Sequence, residues 1–114
     1  MALEKAKIIQ STNTIILAWL GEVYAKAGMR EKAREVIDNL ETLSKRRYVS
    51  ALDFALVHAG LNQYEEAFRW LERAQQERSP LLAILLPVDP RFDNLRPDAR
   101  FHDIMDRILA RVKS

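Results

Sequence analysis

Alanine stands at residues 33 and 67, a separation of 34, and the same offset pairs Leu20 with Phe54, Gly21 with Ala55, Tyr24 with His58, Ile37 with Leu71 and Leu40 with Ala74. Most of these pairs agree in size class, and each lies in a stretch whose apolar residues recur at helical spacing. The small members, Gly21, Ala55, Ala33 and Ala67, suit places where two helices cross so closely that a larger side chain would push the backbones apart. A chain with this recurrence is constrained to helix pairs stacked in series, each covering the apolar face of the next.

Residues 1–10 read as the end of a helix, with Leu3, Ala6 and Ile9 on one side, and Ser11–Thr14 is a polar break rich in N-caps. Ile15–Ala27 is a helix with Ile16, Leu17, Leu20, Val23, Tyr24 and Ala27 as its apolar stripe, closed by Gly28 as a left-handed C-cap. Arg30–Ser44 follows, burying Ala33, Val36, Ile37, Leu40 and Leu43. Lys45-Arg46-Arg47 then sits at the negative end of its dipole. Tyr48–Ala59 and Tyr64–Arg78 form the next pair, joined by Gly60-Leu61-Asn62-Gln63. Ala51, Leu52, Ala55 and Leu56 point inward from the first, and Ala67, Phe68, Leu71 and Ala74 from the second. Glu65, Glu66 and Arg78 match the second helix's dipole. Ser79-Pro80 starts a short helix through Leu86, and Pro87 ends it. Asp89-Pro90-Arg91-Phe92 and Asp98-Ala99-Arg100-Phe101 are near copies, each opened by a capping Asp. The first makes a turn. The second opens a last helix to Val112 with Phe101, Ile104, Met105, Ile108 and Leu109 inward.

The 114 residues suffice for one small domain, and hydrophobic and charged fractions of 48% and 30% are those of a globular chain. Without cysteine there is no disulfide framework, and the N-terminus lacks a signal-peptide core; both fit a cytoplasmic chain. A net charge of +2 is too small to imply nucleic acid. The longest apolar runs, such as Leu81–Leu86, are too short to span a membrane.

The spans WLGEVYAKAGMREKA and ALVHAGLNQYEEAFRWLERA, with their 34-residue period, resemble the tetratricopeptide repeat family. The resemblance implies an all-α fold: a right-handed superhelix of helix hairpins with a C-terminal capping helix. Residues 14–47 and 48–81 would be two repeats, 1–10 the end of a preceding one, and 82–114 the cap. RSPLLAILLPVDPRFDNLRPDARFHDIMDRI resembles the end of bacterial tetratricopeptide regions attached to signalling and transcription proteins. Three positions depart from the family pattern: Lys45 where a proline closes the repeat, His58 where an aromatic is usual, and Asn62 in place of the turn glycine. Either the chain is cut from a longer protein or its N-terminus contributes a half-unit.

By the same resemblance, the first helix of each pair lines a concave face. That face would show Ile15, Ala18, Trp19, Glu22, Ala25 and Lys26, followed by Val49, Leu52, Asp53, Leu56 and Ala59. It lacks the Lys, Arg and Asn set with which family members clamp the acidic tails of heat-shock chaperones. An apolar groove with acidic points at Glu22 and Asp53 suits a protein or peptide partner, a helix or an extended segment, with Trp19 as anchor. Two further occupants stand beside this one: the chain's own Leu81–Leu86 or last helix, and a second copy in a homodimer. The second copy gains weight because Leu3, Ile8 and Ile9 lack a preceding helix.

No chemistry-bearing motif accompanies these features. His58 and His102 have no Cys, neighbouring His or ordered carboxylates, so no metal is expected. Asp53 and His58 do not share a helix face, and no nucleophile joins them. Lys45-Arg46-Arg47 could touch phosphate, but helix capping explains it, and three scattered glycines build no phosphate loop. The expectation is a non-catalytic protein-protein interaction scaffold or a self-association module, without cofactor, nucleic acid or membrane.

Overall fold

The structure, a computed structural model, describes residues 14–46 and 48–113. These residues form six α-helices, a 3-10 helix and no strand. The helices are α1 (Thr14–Lys26), α2 (Arg30–Ser44), α3 (Ala51–Gly60), α4 (Tyr64–Gln76), α5 (Pro80–Leu85) and α6 (Ala99–Lys113). The 3-10 helix, Pro90–Leu95, lies between α5 and α6. Residues 1–10, read above as the end of a preceding helix, lie outside the described set.

Three helices end in one motif. After α1, Gly28 takes φ 80°, and the Met29 N–H reaches back to the Tyr24 carbonyl at 2.8 Å. After α3, Asn62 takes φ 59° and the Gln63 N–H bonds to His58 O at 3.0 Å. After α4, Arg78 takes φ 57° and the Ser79 N–H bonds to Ala74 O at 3.1 Å. Each is a Schellman cap, which satisfies orphan carbonyls by turning one residue left-handed. Asparagine tolerates that conformation well, so the missing turn glycine at 62 does not break the pattern. Gly28 and Asn62 stand 34 residues apart, the interval already seen in the sequence.

The small residues mark the crossings. Gly21, Ala33, Ala55 and Ala67 are all buried. A Cβ at Gly21 would lie 2.7 Å from Val36 Cγ1 on α2 and 2.9 Å from Val57 Cγ2 on α3. α3 is the centre of the molecule, packed against α1, α2, α4 and the 3-10 helix. Nine of its ten residues are buried, as expected for a helix apolar nearly all round.

The C-terminal segment runs in register with the helices before it. Asn94 Nδ2 donates to Ala59 O at 2.8 Å, Arg100 Nη1 to Glu65 at 2.9 Å, and Arg107 Nη1 to Glu72 at 2.7 Å, each over 35 residues. A constant separation means parallel neighbours. The 3-10 helix therefore stands beside α3, and α6 beside and parallel to α4. Arg96 locks the connection, donating to Leu86 O (3.2 Å), Pro87 O (3.2 Å) and Asp89 O (2.9 Å).

Several expectations are corrected. α3 begins at Ala51 rather than Tyr48, because the Ser50 hydroxyl caps it by accepting the Leu52 N–H at 3.2 Å. α4 ends at Gln76, and Arg78 is its left-handed cap rather than part of the last turn. Asp89 opens a 3-10 helix instead of a single turn. Leu109 is exposed on α6. On α1 the expected stripe is largely the wrong face: Val23 and Ile16 are exposed, while Leu17, Ala18, Gly21, Glu22 and Ala25 are buried. Close approach to α3 selects the small residues, and the larger side chains are left outside.

A candidate binding cleft

The nine residues expected on a concave face separate by depth. Ala18 (0% exposed) and Glu22 (7%) are buried between α1 and α3. The close contact is at Gly60, where a Cβ would lie 3.0 Å from Ala25 Cβ and 3.4 Å from Glu22 Cγ. Val49, Leu52, Asp53 and Leu56 are buried as well, as is Ala59. Only Ile15, Trp19 and Lys26 of the nine are exposed. An open surface showing all nine is therefore corrected. The face of α3 is covered by the 3-10 helix, and α5 reaches the same place.

What remains is a cleft of about 270 Å³. α1 contributes Ile15 and Trp19 at its mouth. α3 supplies Leu52, Asp53 and Leu56. α5 adds Leu81 and Leu85, and the 3-10 helix adds Arg91 and Phe92. Five of the nine expected residues thus meet in one place. Ala18, Glu22, Lys26 and Val49 do not line it.

Two charged groups face this apolar space, and their situations differ. Asp89 caps the 3-10 helix by accepting the Arg91 N–H at 2.9 Å, and its carboxylate takes the Arg91 side chain through Nε (3.0 and 3.1 Å) and Nη2 (2.6 Å). These hydrogen bonds from Arg91 hold the Asp89 carboxyl below its ordinary range. The Arg91 guanidinium also lies over the Trp19 ring, 5.1 Å from its centroid, linking the 3-10 helix to α1.

Asp53 is the opposite case. It is 5% exposed, and its Oδ2 has no hydrogen-bond partner. Desolvation pushes its carboxyl up, opposed in part by a hydrogen bond with the Thr14 side chain. An ordinary-looking Asp on a helix gives no hint of this in the sequence. Arg91 and Phe92 were legible only as one half of a near-repeated Asp-x-Arg-Phe motif, with no sign that they would fold over α3.

The remaining polar candidates stay apart from the cleft. His58 Nδ1 lies 2.7 Å from Gln63 Oε1 in the turn after α3, and His102 is exposed on α6. Trp70 stacks on Phe54, with ring centroids 4.1 Å apart. Among the described residues no group of three or more His, Cys, Asp or Glu could hold a metal ion, and no helix is long and apolar enough to cross a membrane. Compared with known proteins, the chain matches no family model, no curated protein and no solved structure.

Proposed function

We propose that this chain is a non-catalytic protein-binding module of the tetratricopeptide kind, cytoplasmic in setting, which docks a partner helix on the outer face of α1. The observation that carries the reading is the makeup of that face. Trp19 is 48% exposed and Val23 58%, beside Ile15 and Ile16 on the same thirteen-residue helix. At 100° per residue these four fall within one arc of about 100°, opposite the buried Leu17, Gly21 and Ala25. The one exposed charge on α1 is Lys26, in its last turn. Contiguous apolar surface of this kind is characteristic of interaction sites, and an amphipathic helix is its natural complement. The repeat reading is supported by the like caps at Gly28 and Asn62 and by the buried small residues at 21, 33, 55 and 67.

A titration of the labelled chain with an amphipathic, leucine-rich helical peptide tests the proposal. Amide shifts are expected on α1 around Trp19 and Val23, with loss of binding in Val23→Glu at unchanged helicity. Undiminished binding in that variant, or shifts confined to other helices, would remove the reading. The near absence of charge on this face also favours a second reading, a homodimer packing α1 on its own copy about a two-fold axis. Light scattering across concentrations decides it: a monomer throughout eliminates the dimer.

A further inference from the structure

We propose that the cleft between α1, α3, α5 and the 3-10 helix binds a small apolar molecule bearing a single ammonium group, with the ammonium on Asp53. The site is distinct from the outer face of α1, and three observations point to it.

The first is an unmet acceptor. Asp53 Oδ2 is buried and unpartnered, although Asp53 lines an open cleft. A buried acceptor without a donor costs about 1–3 kcal/mol, which a ligand N–H would recover. The second is the balance of charge. The only cation of the lining, Arg91, is already held by both oxygens of Asp89 and feels Glu22 as well. Around the cleft, three carboxylates (Asp53, Asp89 and Glu22) stand against one committed guanidinium, so a cation complements the site and an anion does not. The third is size and lining. Leu52, Leu56, Leu85 and Phe92 make the body apolar, and the volume of about 270 Å³ exceeds the roughly 150 Å³ in which an apolar cavity takes up benzene. A ring with a short alkylammonium arm fits both the volume and the single polar point. An apolar body with one placed polar group is the usual makeup of a small-molecule site.

The probe is phenethylammonium, compared with its neutral isostere phenethyl alcohol and the anion hydrocinnamate. Each is titrated into the full chain and followed by amide shifts and Trp19 fluorescence. The cation is expected to bind about tenfold tighter than the alcohol, the step that one charge-assisted hydrogen bond confers. The anion is expected to bind weakest, and shifts should centre on Leu52, Leu56, Leu85 and Phe92. Asp53→Asn keeps the shape and removes the charge, so the cation's advantage should fall to within about twofold. Leu81→Trp, at the exposed mouth, should weaken the cation and the alcohol together, and it keeps the test decisive if Asp53→Asn does not fold. Equal affinity of the native chain for cation and alcohol overturns the proposal. So does a preference that survives Asp53→Asn, a shift pattern away from the cleft, or no saturable shift by about 10 mM.

Discussion

Arg107 on α6 grips Glu72 on α4 through two parallel hydrogen bonds, Nη1 to Oε2 and Nη2 to Oε1, both at 2.7 Å. Seven residues earlier on each helix, Arg100 meets Glu65 at 2.9 Å. The last helix is thus clamped along its neighbour in parallel register, over an apolar seam that includes Phe101 and Ile104.

Both partners of the Arg107–Glu72 pair are more than a third exposed, so the clamp sets register more than it adds stability. A double-mutant cycle with Arg107→Ala and Glu72→Ala should give a coupling of about 0.5–1 kcal/mol. Urea titration measures it, and roughly 0.5 M salt should reduce it.

Gly21 is a helix-interior glycine that alanine should not improve. Propensity favours Ala by about 1 kcal/mol, but its Cβ would press on Val36 and Val57, two side chains stiff at χ1. Gly21→Val should cost about 1–3 kcal/mol by overpacking, and Val36→Ala in the same chain should recover part of it. Thermal unfolding of the three variants checks the order.

Leu56→Ala and Val23→Glu should separate sharply, although one swap is apolar and the other introduces charge. Leu56 is 4% exposed in the central helix, and truncation there should cost about 2–5 kcal/mol. Val23 is 58% exposed, and its change should stay within about 0.5 kcal/mol. Chemical denaturation of both reports whether α1 is oriented as described.

Two carboxylates should pull the acid stability profile in opposite directions. Asp53 has a raised folded pKa, so the native state binds more protons than the unfolded one. Its contribution is greatest below the unfolded value and declines as pH rises through the raised one. Asp89 is lowered, by its hydrogen bonds from Arg91 first. Its contribution is present above the unfolded value and is lost as pH falls through the folded one. Midpoints measured from about pH 2 to pH 7 should lose the first slope in Asp53→Asn and the second in Asp89→Asn.

Much of this architecture could be read from residues alone. Arg30–Ser44 is the helix expected, because its Ala33, Val36, Ile37 and Leu40 stripe alternates cleanly with charge. α1 was not legible in the same way. Ile15–Ala27 is apolar on most sides, so periodicity does not choose a face, and volume does: Ala18, Gly21 and Ala25 go inward because α3 passes close. For the candidate site the limit was topological. Leu52, Asp53 and Leu56 were correctly gathered with Ile15 and Trp19, but their burial depends on how the chain returns after Pro87. That return is fixed by Arg96 bonds to three backbone carbonyls, which no local pattern announces.

The 35-residue register of the C-terminal segment bears on how the molecule folds. Its tertiary ties join residues a nearly constant, modest distance apart along the chain, so ordering can spread outward from the α3–α4 hairpin one neighbour at a time. Such low contact order favours rapid folding. It also leaves the chain with one weak point for cooperativity: α3 contacts units on both sides, and an opening there would uncouple α1 and α2 from everything that follows.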